Sequence, residues 1–121
     1  MNKYTRKELA EALQIVYSII SRCEKTQPSF AEGTPHHTLL KNRIKAMYIS
    51  KSLITTENNR DKYTNEELIE ALRPVASIIN KCEKAQLKFI QGTSHHTRLK
   101  NMIKAMYISN SLITDEICKR T

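Results

Sequence analysis

Turn-forming residues are scarce in this 121-residue chain, which has two glycines, three prolines and no tryptophan. So few turn formers argue against a structure of many short strands and favour a few long elements, that is, helices. Hydrophobic residues make up 40% of the chain. That share is typical of a globular protein and excludes an intrinsically disordered one.

The sequence also lacks an uninterrupted apolar run of membrane-spanning length, and its first residues, MNKYTRKELAEAL, are too polar for a signal peptide. Its three cysteines, Cys23, Cys82 and Cys118, are odd in number and widely spaced. A disulfide framework is therefore not expected. We expect a reduced, cytoplasmic setting and no membrane partner.

Acidic residues are absent from two stretches, 36–54 and 95–113, although the chain as a whole carries a net charge of +8. Lysines on an acid-free helix can neutralise phosphates without reading base sequence, so nonspecific nucleic-acid binding is one interpretation. The other is that these lysines form a solvated helix surface. The residues in question are Lys41, Lys45, Lys100 and Lys104.

The clearest pattern is an internal repeat: one segment of the sequence occurs twice. Residues 4–55, the first segment, align without a gap with residues 63–114, the second segment, and 35 of the 52 positions are identical. A segment of about 50 residues is near the lower limit for an independent core. We therefore expect two units, 1–58 and 59–121, that pack together as one domain and are joined by the polar linker 56–62.

Each segment predicts two helices. Thr5 is followed three residues later by Glu8, the spacing of a capping box at a helix start, and Thr64 and Glu67 repeat it. Thr34 is placed to cap the second helix of the first segment. The predicted fold class is all-α, a tandem repeat of two helical hairpins that form a four-helix bundle-like domain.

The second helix of each segment carries apolar residues on two nearly opposite faces. In the first segment, Leu40, Ile44 and Met47 mark one face. Such a helix must be covered from two directions, by its own first helix and by either the other segment or a second chain. The residues predicted to form this second interface are Ala46, Ile49, Leu53, Ala105, Ile108 and Leu112.

Cysteine and histidine recur near the connection between the two helices of each segment, and zinc accepts both as ligands. The candidates are Cys23, His36, His37, Cys82, His95 and His96. Neither segment supplies a fourth ligand, and a cysteine on a core-facing stripe usually acts as a small hydrophobe. We therefore expect no bound metal and no other cofactor.

Motifs for catalysis are missing from the sequence. It has no glycine-rich phosphate loop, no HExxH and no nucleophile elbow, so no catalytic residue is predicted and enzyme activity is not expected. The sequence predicts a non-enzymatic binding or assembly module that acts through a protein partner or through self-association. Nucleic-acid binding is the alternative.

Overall fold

The computed structural model describes residues 3–55 and 62–120. Within these residues the chain forms helices and no strand: α1 (Arg6–Thr26), a 3-10 turn (Gln27–Ser29), α2 (Pro35–Ile54), α3 (Asn65–Gln86) and α4 (Ser94–Arg120). The all-α class is therefore confirmed. None of these helices is both long and apolar enough to cross a membrane. Positions 56–61 of the expected linker, and the unit boundary within them, lie outside the described residues.

Side-chain caps fix where the helices begin. The Thr5 hydroxyl accepts the backbone N–H of Glu8 at 3.0 Å, and the Glu8 carboxylate accepts the backbone N–H of Thr5 at 2.9 Å. The equivalent pair opens α3, so both predicted capping boxes are confirmed. Thr34 caps α2 by accepting the backbone N–H of His37 at 3.3 Å. These bonds satisfy amides that have no partner within the helix.

α4 continues beyond the end of the sequence repeat at Thr114 and reaches Arg120. The Arg120 guanidinium donates to the Glu116 carboxylate one turn earlier at 3.0 Å, and to the backbone carbonyl of Tyr63 at 2.7 Å. Ile117 packs against the core. These contacts hold the last turn of α4 beside the start of α3.

The helices pack in the cyclic order α1, α2, α3, α4, and α2 and α4 also touch each other across the middle. The backbones of α1 and α3 are not adjacent within the described residues. Each second helix therefore has three neighbours, as its two apolar faces require. Met47 in α2 and Met106 in α4 are fully buried, in one core that all four helices share.

Candidate protein interface

The predicted interface residues lie mainly between the two segments of one chain. Ala46, Ile49, Ala105 and Ile108 are buried, and Leu53 and Leu112 are half-buried. Ala46 and Ile49 of α2 line a groove between α2 and α3. Ala105 and Ile108 of α4 line the equivalent groove between α4 and α1. The second cover of each helix is thus the other segment. A role for these residues between chains stays a prediction.

The α1–α4 and α2–α3 grooves are built from equivalent residues. All ten residues lining the first have a counterpart 59 positions away among those lining the second, and the cavity volumes are about 400 and 580 Å³. An ion pair crosses each groove: Lys104 Nζ lies 3.3 Å from Glu8 Oε2, and Lys45 pairs with Glu67 in the same way. The two segments therefore meet through the same contacts twice.

These ion pairs engage two of the four lysines considered for nucleic-acid binding. Hydrogen bonding from Lys45 lowers the pKa of Glu67, and the same bond raises the pKa of Lys45. The pKa of Glu8 is lowered first by the backbone N–H of Thr5 and then by Lys104. The remaining two lysines, Lys41 and Lys100, are exposed. Nucleic-acid binding through these four lysines stays a prediction, and two of them, although exposed, already pair with carboxylates of the same chain.

The cysteines and histidines are not gathered into a metal-binding group. In the part of the chain that the structure describes, no three His, Cys, Asp or Glu side chains are placed to hold a metal ion. Cys23 and Cys82 are buried in the core, and burial raises the pKa of both thiols. A thiol with a raised pKa is a poor nucleophile and a poor ligand, so these two residues contribute packing.

The histidines have structural contacts instead. His36 stacks on Phe30 with the ring centroids 5.0 Å apart. The second histidine of each pair donates its backbone N–H to the capping threonine. Each histidine pair thus closes the connection between two helices. His95 repeats the stacking in the second segment, with its ring centroid 5.0 Å from that of Phe89. His37 and His96 are the histidines whose N–H groups are bound at the starts of α2 and α4.

An exposed apolar cluster on the connection between α3 and α4 was not predicted. Leu87, Phe89 and Ile90, here called the loop patch, are 87%, 39% and 80% exposed. Their counterparts in the first segment are Pro28, Phe30 and Ala31. The available signal was this difference: two large aliphatic residues appear where the other segment has proline and alanine. A connection between helices lies at the surface, so these side chains meet water.

Beside the loop patch runs a groove, here called the basic groove, that lies between α1 and the first turns of α4 and extends over the last turns of α3. Two adjoining cavities of about 560 and 340 Å³ form it, and both are lined by Arg22, Arg98 and Met102. Phe89 lines the smaller cavity and so connects the groove to the loop patch. No acidic residue is among those that line either cavity within the described ranges.

The basic groove differs in composition from the equivalent place between α2 and α3. The counterpart of Arg98 is Leu39, and the counterpart of Met102 is Arg43. The Arg43 guanidinium donates across to the Ser77 hydroxyl at 3.4 Å, so this cation faces inward and helps to join α2 to α3. In the basic groove the half-buried inner position is held by Met102, and the exposed position at the rim is held by Arg98.

Comparison of the chain with models of protein families, with curated proteins and with solved structures yields no match.

Proposed function

We propose that the chain is a non-enzymatic binding module, made of two tandem helical hairpins packed as one domain, which acts through protein–protein contacts at the loop patch. The hairpin organisation is supported by the sequence repeat and by the packing of α1 on α2 and of α3 on α4. The observation that carries the function is the exposure of Leu87 and Ile90, at 87% and 80%.

Exposed aliphatic residues that share one short connection favour a protein partner. Single apolar residues are common on protein surfaces, whereas clusters of them mark interaction sites. A few well-placed side chains supply most of the binding free energy in typical interfaces. Phe89 is already held by its stacking on His95, so its ordering costs less when a partner binds.

The fold does not require the aliphatic side chains of the loop patch. Both helix connections turn through a glycine with positive φ, Gly33 at 90° and Gly92 at 93°, so the backbone makes a similar turn in both segments. The first segment makes that turn with Pro28 and Ala31 in place of the two aliphatic residues. Leu87 and Ile90 therefore add surface chemistry to a connection that forms without them.

A protein partner also fits the chemistry better than nucleic acid does. Leucine and isoleucine neither stack on bases nor contact phosphates, and both are suited to apolar anchoring in a partner's pocket. One loop patch per chain allows contact with a different protein, or with a second copy in a two-fold dimer. The mass of the complex distinguishes these two cases.

The test is site-specific photo-cross-linking in cells that express the full chain. A photoactivatable amino acid replaces Ile90 in one variant and Ala31, its counterpart in the first segment, in the other. We expect discrete cross-linked species from position 90 and none from position 31, because only the second connection carries the patch. A species of twice the chain mass identifies self-association, and any other mass a different partner. Equal patterns from both positions, or none from position 90, would refute the proposal.

A further inference from the structure

We infer that the partner segment recognised by this module is an acidic peptide with apolar anchors, bound along the basic groove with its anchors reaching the loop patch. This inference rests on the proposed function and specifies the chemistry of the partner. It follows from three features of the groove: its charge, its apolar floor and its continuity with the loop patch.

The charge of the groove is of one sign. Arg22 and Arg98 line both cavities, Lys81 lines the smaller one, and no acid is among the lining residues that the structure describes. In that part of the chain neither arginine is ion-paired; Arg22 donates only to the Ser18 hydroxyl, at 3.4 Å. An exposed guanidinium without a carboxylate can bind one through two parallel hydrogen bonds. Charge complementarity therefore selects an acidic partner.

Apolar residues, here called the floor of the groove, also line it, beside the polar Ser18, Ser94, Thr97 and Asn101. Ile15, Leu99 and Met102 line the cavities and are half-buried, so each leaves part of its side chain open to the groove. Methionine adapts its shape to different apolar groups and is common at surfaces that bind peptides. A purely acidic chain would leave this floor uncovered, so the partner must also carry aliphatic or aromatic residues.

The groove and the loop patch form one surface. Phe89 belongs to the patch and also lines the smaller cavity beside Arg98 and Met102. A peptide in the groove can therefore place one apolar residue against Phe89 and the next over Met102. Its carboxylates then meet the two arginines on the rim. An amphipathic acidic segment satisfies both requirements at once.

The experiment measures binding of a labelled peptide to the full chain by fluorescence anisotropy. The probe has roughly 14 residues, about four helical turns, with leucine and phenylalanine on one face and glutamate on the other. Two control probes replace every glutamate by lysine, or every apolar residue by alanine. We expect saturable binding of the acidic apolar probe alone.

Two variants of equal net charge locate the binding site. Arg98→Leu introduces the residue that the first segment has at the equivalent position, and Lys100→Leu removes a charge from an exposed position two residues further along α4. We expect Arg98→Leu to weaken binding about fivefold or more and Lys100→Leu to change it by less than about twofold. Circular dichroism checks that both variants keep the helical fold.

Several outcomes would overturn the inference. These are no binding of the acidic apolar probe, equal weakening by the two variants, or stronger binding of single-stranded DNA or phosphatidylserine vesicles than of the peptide. Failure here with persistent cross-linking from position 90 means that the module binds a partner of different chemistry. Peptide binding without any cross-linking from position 90 means instead that the proposed function at the loop patch is wrong.

Discussion

At the scale of single residues, Glu67 joins a local interaction to a tertiary one. Its carboxylate accepts the backbone N–H of Thr64 at 2.8 Å, which closes the capping box of α3. The same carboxylate pairs with Lys45 on α2. Hydrogen bonding from Lys45 is the larger cause of its lowered pKa, and the backbone N–H of Thr64 comes next. One side chain thus helps to start a helix and to connect the two segments.

This double role predicts a pH-dependent stability. The pKa of Glu67 is lowered in the folded chain from its ordinary value of 4.5. Its stabilising contribution is therefore complete above that value and is lost as the pH falls through the lowered pKa. Glutamine at this position keeps the cap acceptor but removes the charge. We expect Glu67→Gln to be less stable than the parent at neutral pH and to lose less free energy of unfolding on acidification.

Urea unfolding at a series of pH values measures this difference. The matched control is Glu66→Gln, which changes the adjacent carboxylate, also in the first turn of α3. Because Glu66 takes no part in the ion pair with Lys45, we expect the control to lower the free energy of unfolding at neutral pH less than Glu67→Gln does. If the free energy of unfolding fell equally with decreasing pH in Glu67→Gln and in the parent, the ion pair with Lys45 would contribute nothing to stability.

The sequence predicts only the local half of this arrangement. The spacing of Thr64 and Glu67 indicates a capping box because both partners lie within one helical turn. The pairing of Glu67 with Lys45 depends on how α2 and α3 cross, which no local spacing contains. For the same reason, no local spacing pairs Lys45 or Lys104 with an acid, whereas each meets a carboxylate of the other segment.

At the scale of helices, the sequence predicts the two apolar faces of α2 and α4, but it does not predict which elements pack against those faces. Periodicity shows that a face is buried because apolar residues recur at helical spacing. It does not identify the covering element, so the other segment and a second chain stayed open as alternatives. The structure covers the second face with the other segment, and Ile49 and Ile108 are 1% and 2% exposed.

The second face predicts a large difference between two isoleucine substitutions. Ile49→Ala removes buried atoms from the contact between α2 and α3 and should cost about 2–4 kcal/mol of unfolding free energy. Ile69→Ala changes a residue on the α3 side of the same groove whose side chain is 55% exposed, so it should cost less, under about 1 kcal/mol. Urea unfolding at neutral pH compares them. Similar losses for both would mean that the second face is not packed as described.

The loop patch could not be predicted from helical patterns, because it lies between helices. The difference between the segments at Leu87 and Ile90 was visible in the sequence. Its meaning was not, since exposure depends on how the connection leaves α3 and returns to α4. Local composition reports turn residues and apolar runs, and only the folded backbone determines that these side chains point into water.

At the scale of the whole molecule, the two segments share one core of buried residues. The first helix of each segment covers one face of its second helix, and the other segment covers the opposite face. One chain therefore supplies every cover that the second helices need. The proposed partner binding therefore uses surfaces outside the core, namely the loop patch and the basic groove.

The central claim is that α2 and α4 are covered on both faces within a single chain. Amide hydrogen exchange, measured by mass spectrometry at two widely separated protein concentrations, tests it most directly. We expect residues 46–49 and 105–108 to be among the most protected, with the same protection at both concentrations. Protection of these residues that fell on dilution would show that a second chain supplies their cover, and would contradict the account.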